Sequence, residues 1–408
     1  MRSSPLIEYG PTSLIVIMWV GALTAFFAAT CGLLQNDLKR IVAFSTISQM
    51  GYLFLAVGIS QYNVALFHLV NHAFFKALLF LAAGAVIHAM ADQQDVRRLG
   101  GLINFLPFTY TAILVGSLSL MALPWLTGFY SKDLIIELAY AQYQFSGQAG
   151  YWLGTLTAVL TAFYSFRLIS LVFLSYPNAP KSDYLHSHEA GLAVVIPLFI
   201  LSLFSILFGY VFSDLFVGIG TDFFANSLFI HPNHVTLVEA EFSLPLLFKL
   251  LPTIGSVFAA LLAVILYNNT PDFIVSLTEY PLGRKLYTFL NGKYLIDILY
   301  NNYIIGGGLY LGYTISKVLD RGVVELVGPY GLATVLSETG INVSKLDTGV
   351  VTSYALYIVL GFISLLFLLF APILLDNTGS SSTLISEVRL IIIYLSSLIL
   401  ISNKAHLS

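Results

Sequence analysis

The chain has 408 residues, of which 58% are hydrophobic and only 10% charged, with a formal net charge of −3 and a mean hydropathy of +0.86. A soluble domain carries roughly 25% charged residues, so this composition points to a membrane, and without a polybasic run it carries no nucleic-acid signature. The single cysteine, Cys31, excludes an intramolecular disulfide and falls short of the about four thiolates that an iron–sulfur cluster takes.

A spanning helix needs about 20 mainly apolar residues. Runs of this kind lie at 12–34, 41–59, 64–90, 105–140, 151–173, 191–217, 246–267 and 348–375. They predict eight spans in an all-α polytopic membrane protein. The first run is too long for a signal peptide and lacks a small-residue cleavage pattern. The fourth is too long for one straight helix, and Pro124-Trp125-Leu126-Thr127-Gly128 interrupts it. Residues 272–347 are amphipathic. They are expected to form a long helical segment along the membrane surface or along neighbouring subunits, with Gly306-Gly307-Gly308 as a flexible point. A last apolar piece, 390–401, reads as an extra helix or a surface anchor. By composition the chain divides into a bundle at 1–175, further spans at 176–271, the amphipathic segment at 272–347, and a last span with its tail at 348–408.

Spans that alternate in direction sort the loops into two sets. One set holds Lys39, Arg40, Arg97, Arg98, Lys181, Arg284, Lys285, Lys293, Lys317, Arg321 and Lys345, and the other holds no Lys or Arg apart from Lys249, just inside the start of the seventh run. This asymmetry is a positive-inside signal that places the first set on the cytoplasmic or matrix side.

Ionisable residues inside such spans are costly and mark function by default. The third span holds His68, His72 and Lys76, four residues apart. A helix turns about 100° and rises about 1.5 Å per residue, so the three share one face along roughly 12 Å of axis. Lys132 and Asp133 follow directly on the break in the fourth run. A proline in a membrane helix frees a backbone carbonyl, and broken helices recur at the ion sites of transporters. Histidine titrates near neutral pH, and burial brings a lysine towards that range. The set therefore suits a proton relay. His-x-x-x-His is also zinc spacing, but no Glu follows His68 and no third ligand is evident. Asp37 and Lys39, at a span end, read either as relay members or as a solvated loop. His88 reads as a relay exit or an interfacial residue, Arg167 as the partner of a carboxylate or an anchor for helix packing, and His186 and His188 as solvated.

The runs DLKRIVAFSTISQMGY at 37–52, FHLVNHAFFKALLF at 67–80, DVRRLGGL at 95–102 and LPWLTGFYSKD at 123–133 are long and ordered. Through them the chain resembles the chain 5 family of NADH–ubiquinone oxidoreductase, the antiporter-like subunits of respiratory complex I, in a mitochondrial, fungal-looking form. The resemblance is close over residues 1–175 and looser beyond. It implies an antiporter-like bundle forming the second of two inverted repeats, with a broken helix and a long lateral helix within 292–347 that braces the neighbouring antiporter-like subunits. It also implies Lys76 as a central proton carrier, His68 and His72 as water-linked relay residues, Lys132 on the exit route with Asp133 beside it, and a match of Asp37 and Lys39 to the family's Asp-x-Lys. NADH, FMN, iron–sulfur clusters and ubiquinone are then bound by other subunits and no cofactor by this chain. The setting implied is the mitochondrial inner membrane, with the Lys/Arg-rich loops towards the matrix. Family members carry further helices ahead of the position of Met1, so the expectation is that this chain holds only the second repeat.

Two other readings stay open at this point. A subunit of a multisubunit cation/proton antiporter shares the His/Lys and broken-helix motifs but not the amphipathic segment. A structural membrane subunit would use its polar residues for packing alone.

Overall fold

A computed structural model describes residues 1–221 and 223–376. The chain forms two compact units that divide between Asp297 and Ile298. In the first, a short α1 (Ser4–Glu8) leads into three long antiparallel helices, α2 (Pro11–Leu34), α3 (Leu38–Gly58) and α4 (Tyr62–Ala89). The expected fourth span is two helices, α5 (Pro107–Leu120) and α6 (Thr127–Ala141). Neither reaches the about 20 residues of a spanning helix alone. Then come α7 (Phe145–Ile169, ending in a π-turn at Ser170–Leu174), α8 (Lys181–His186), α9 (Leu192–Val217), α10 (Leu237–Phe242), α11 (Leu246–Val264, with a π-turn at Ile265–Asn269), α12 (Pro271–Glu279) and α13 (Pro281–Asn291). Among the described residues six helices are long and apolar enough to cross a membrane: α2, α3, α4, α7, α9 and α11.

Short α14 (Ile296–Leu299) contains the division, and from it helix backbone runs almost unbroken to Val327 through a π-helical turn, α15 (Gly306–Tyr313), a longer π-helical stretch and α16 (Glu325–Val327). The three glycines at 306–308 are helical, at the point where the π-helical turn Tyr300–Ile305 gives way to α15. Helices α17 (Pro329–Ser344) and α18 (Val351–Asp376) follow. The apolar piece at 390–401 lies outside the described residues.

Three linkers meet at one end of the first unit. Asn36 O accepts from Val96 N and Gln94 O from Leu38 N, both at 2.9 Å, which makes a short antiparallel pairing of the α2–α3 turn with the α4–α5 loop. Gln35 and Asn36 reach Asn291 O and the Tyr287 hydroxyl, and Asn178 reaches Arg97 O. Lys39, Arg40, Arg97 and Arg98 stand here, so this is the Lys/Arg-rich end. Residues 59–62, 142–145 and the α9–α11 connection form the opposite end.

Helices in a membrane gain little from burying apolar area against one another, so close backbone approach matters. A methyl group added to Gly21, Gly51 or Gly58 would come within 2.4–2.5 Å of backbone nitrogens on the facing helix, those of Leu55, Ala25 and Met18 respectively. The α2–α3 pair thus packs backbone to backbone.

The apolar core comes in two parts. One gathers Leu38, Ile41, Phe75, Leu79, Val86 and Leu168 towards the Lys/Arg-rich end. The other gathers Met18, Tyr52, Leu55, Phe67, Ile135 and Tyr151 towards the opposite end. Between them lie Ser45, Ser48, Gln49, His68, His72, Lys76, Ser131, Lys132 and Thr161, all buried.

Gly51→Leu, which forces α2 off α3, is expected to cost about 1–3 kcal/mol. A lowered thermal midpoint is the readout. Gly84→Leu, with nothing within 4 Å of its added carbon, leaves the midpoint unchanged.

Candidate functional site

The site begins with the break between α5 and α6. Residue 124 is proline, so it cannot give an amide hydrogen to the carbonyl four residues earlier, which is Leu120 O. Ala122 and Trp125 turn the chain with φ of 65° and 69°, a left-handed backbone that costs about 1 kcal/mol or more at a non-glycine residue. The second half restarts at Thr127. Its hydroxyl donates to Phe204 O at 2.9 Å and accepts from Gly209 N at 3.0 Å, which ties the break to α9. Gly128 is obligatory, because an added Cβ would sit 1.8 Å from Ser119 O.

Lys132 projects from the first turns of α6 and is 1% exposed. Its ammonium donates to the freed Leu120 O at 3.3 Å and to the Thr161 hydroxyl of α7 at 2.8 Å, and lies 5.3 Å from the centre of the Tyr52 ring. The residue before it, Ser131, shares a hydrogen bond of 3.0 Å with His68 Nδ1. Asn71, one turn along α4, donates to Thr127 O at 3.3 Å. The His68 and His72 rings are 6.2 Å apart. Lys76, one turn further, donates to the Ser45 hydroxyl and sits 5.6 Å from the Phe80 ring. Four sequence-predicted residues, Lys76, His72, His68 and Lys132, therefore form one buried lane, with Asp133 at its end.

Several buried polar atoms along this lane have no protein partner: His68 Nε2, His72 Nε2, Asn71 Oδ1, both amide atoms of Gln49 and Asp133 Oδ2. Orphaned buried polar groups of this kind are normally met by internal water. Water linking His68, His72 and Gln49 would extend the hydrogen-bonded path from Ser131 of α6 along α4 and to α3.

Asp37, Lys39 and His88 stand apart. Asp37 is the N-cap of α3, accepting from Lys39 N at 2.9 Å and Arg40 N at 3.3 Å. Such a cap contributes about 1 kcal/mol. Lys39 and His88 are exposed at the Lys/Arg-rich end. Arg167 anchors packing: it donates to Gln35 O at 2.6 Å and Asn36 Oδ1 at 2.9 Å and stacks on Tyr267. His186 ends α8 and His188 follows it, both exposed. Among the described residues no group of three or more His, Cys, Asp or Glu side chains is placed to hold a metal ion.

Sequence reasoning missed the neutral partners Ser45, Gln49, Asn71, Ser131 and Thr161. The available signal was their mid-span position, since a polar residue there needs a partner. It also missed Glu8. This carboxylate is buried at the opposite end and accepts from the Tyr62 hydroxyl at 2.7 Å, from His231 N at 3.3 Å and pairs with His234 Nδ1 at 2.8 Å. Burial pushes its carboxyl up, but hydrogen bonds from Ser60, His234, Tyr62 and the His231 amide outweigh this and hold it below its ordinary value.

Comparison with known proteins supplies a frame for this geometry. A family model described as NADH:quinone oxidoreductase/Mrp antiporter, TM, matches residues 1–161, and one described as NADH dehydrogenase subunit 5 C-terminus matches residues 224–370. The NADH-ubiquinone oxidoreductase chain 5 of Cryptococcus neoformans var. grubii is 66% identical over 100% of this chain and 61% of its own length. The proteins of the same name from Mycosarcoma maydis and Schizophyllum commune are 70% and 64% identical over 90% and 100% of this chain, and 54% and 58% of their own lengths. The chain thus spans somewhat over half the length of these curated relatives. The solved structure of the Mrp complex from Dietzia sp. is similar in fold, with a TM-score of 0.54 over 86% of this chain and 35% of that one, at 20% identity.

Arg167→Met removes two charge-assisted hydrogen bonds from the α2–α3 turn. The expected loss is about 2–4 kcal/mol, read as faster tryptic cleavage after Lys39 and Arg40; an unchanged rate contradicts the anchoring role. Glu8 gives a pH prediction. A carboxyl whose pKa is lowered on folding contributes stability that is present above its unfolded value and lost as pH falls through its folded value. Tethering of residues 229–236 is therefore expected to weaken as pH drops below about 4, seen as faster proteolysis of that connection, and Glu8→Gln removes this pH dependence.

Proposed function

We propose, for a chain that belongs to the NADH–ubiquinone oxidoreductase chain 5 family, that it acts as a proton-translocating core membrane subunit of respiratory complex I. The observation that carries this reading is the buried lane of Lys76, His72, His68 and Lys132 set between two apolar core clusters. A lysine at the centre of a membrane helix costs about 3 kcal/mol on insertion scales, and two lysines with two histidines in one lane accumulate that cost, with no carboxylate within 4 Å of either lysine among the described residues.

Under this reading, Lys76 holds a proton in an amine that alternates with its ammonium form. The proton passes through His72 and His68, whose free ring nitrogens face the layer, with water bridging the gaps. Ser131 hands it on to the surroundings of Lys132, and Asp133 stands next on the same helix. Moving a charge beside either lysine alters its proton affinity by Coulomb interaction at low effective dielectric, which is how redox events elsewhere in a complex can drive the lane. Asp37, Lys39 and His88, at the Lys/Arg-rich end, would act only in exchange with that aqueous side. NADH, FMN, iron–sulfur clusters and ubiquinone would belong to other subunits, and the neighbouring antiporter-like subunit would be the nearest partner. The setting proposed is the mitochondrial inner membrane, with the Lys/Arg-rich end towards the matrix.

A second reading, a subunit of a cation/proton antiporter, draws support from the fold likeness to the Mrp complex. The match of residues 224–370 to an NADH dehydrogenase subunit 5 C-terminus favours complex I.

Lys76→Met and Lys132→Met are each expected to lower proton pumping by roughly tenfold or more in inner-membrane vesicles whose complex still assembles. Wild-type pumping in both variants would sink the relay and leave the structural reading.

A further inference from the structure

One face of α6 leads from the buried lane to open space. Asp133 and Glu137 are four residues apart, one helical turn, so both carboxylates lie on the same side of the helix. Both line a cleft of about 430 Å³ that opens at the end opposite the Lys/Arg-rich loops. Its far wall is built by Asp214 at the end of α9, Glu241 of α10 and Lys249 of α11, with Tyr130 beside Asp133. Lys249 Nζ is held at the rim by Glu241 O at 2.8 Å. At the inner end, Asp133 is 5% exposed and its Oδ2 is buried with no protein partner. Glu137 stands between that inner carboxylate and the open mouth.

We propose that this cleft is the mouth through which protons leave the lane, and that Glu137 is the last proton-carrying side chain before water. The inference rests on the proton-relay reading above and adds to it a route and a terminal residue.

The alternatives for Glu137 are weaker. As a packing residue it would be expected to carry a hydrogen bond or an ion pair within 4 Å, and among the described contacts it has neither. As a purely solvated side chain it would sit on the outer surface, whereas it is half-buried in the wall of a cleft that also reaches Asp133. The proton balance closes simply. The Lys132 ammonium gives a proton to the Asp133 carboxylate and becomes an amine. The Asp133 carboxylic acid passes it to the Glu137 carboxylate, and Glu137 releases it to cleft water as hydronium. Both carboxylates end as they began, and one proton has moved from Lys132 to the aqueous phase.

The test uses the assembled complex in sealed inner-membrane vesicles, with NADH oxidation and proton pumping measured together. Glu137→Gln cannot accept a proton and is expected to lower the pumping rate about tenfold, a modest loss for a removed proton-transfer group. Glu137→Asp, which keeps the carboxyl, is expected to restore most of it. A structural role would not distinguish Gln from Asp in this order. Pumping at the wild-type rate in Glu137→Gln overturns the inference. If Glu137→Gln does not assemble, Ser213→Trp, which fills the cleft from α9 without touching the lane, decides: blocked pumping supports the route and unimpeded pumping overturns it. Lys132→Met run alongside separates the two claims. Loss with Lys132→Met but not with Glu137→Gln defeats only the cleft route, whereas no loss in either defeats the relay itself.

Discussion

A buried ammonium needs an acceptor, and a carbonyl that proline has stripped of its donor needs a new one. The contact between Lys132 and Leu120 O meets both needs at once. In a medium without water each unmet group costs several kcal/mol, so neither the break nor the lysine is tolerable alone. Everything near the lane follows from that joint solution. The restart of the helix at Thr127 fixes Ser131 beside His68, aims Lys132 inward to Thr161, and turns the next face, with Asp133 and Glu137, outward towards the cleft.

The layered core explains how such a lane coexists with a membrane. Apolar clusters lie on both sides of the polar layer along the helix axes. They separate it from bulk water at each end, and under the proposed relay they would limit proton movement to the routes that side chains and enclosed water provide. The low dielectric of the same surroundings lengthens the reach of each charge. A change at one lysine is therefore felt at the next polar group, which is the physical requirement for coupling.

Much of this was legible beforehand. Hydropathy located the long helices to within a few residues, and the spacing of His68, His72 and Lys76 foretold their common face. The break was readable from Pro124 and Gly128. Its division into two separate helices follows from the geometry of residues 122–126, which no pattern of apolar residues encodes. Ser45, Ser131 and Thr161 stand out by their mid-span position, but a short hydroxyl on a membrane helix usually satisfies itself on its own backbone, and only the packed bundle reveals which of them meets a lysine. Glu8 escaped because two of its partners, His231 and His234, lie more than two hundred positions away. The helical state of Gly306–308 went against the usual meaning of adjacent glycines, since the hydrogen-bonded backbone on either side carries through them.

The short pairing of Asn36 with Val96 and of Leu38 with Gln94 stitches the turn after α2 to the loop after α4. Arg167 fastens the same turn to α7. Helices α2, α3, α4 and α7 are thus clamped together at one end, and the glycine contacts hold α2 against α3 along their length. A frame clamped in this way resists rocking of one helix against another. Any rearrangement within it is then a matter of side-chain rotation and the movement of enclosed water rather than of one helix sliding against another.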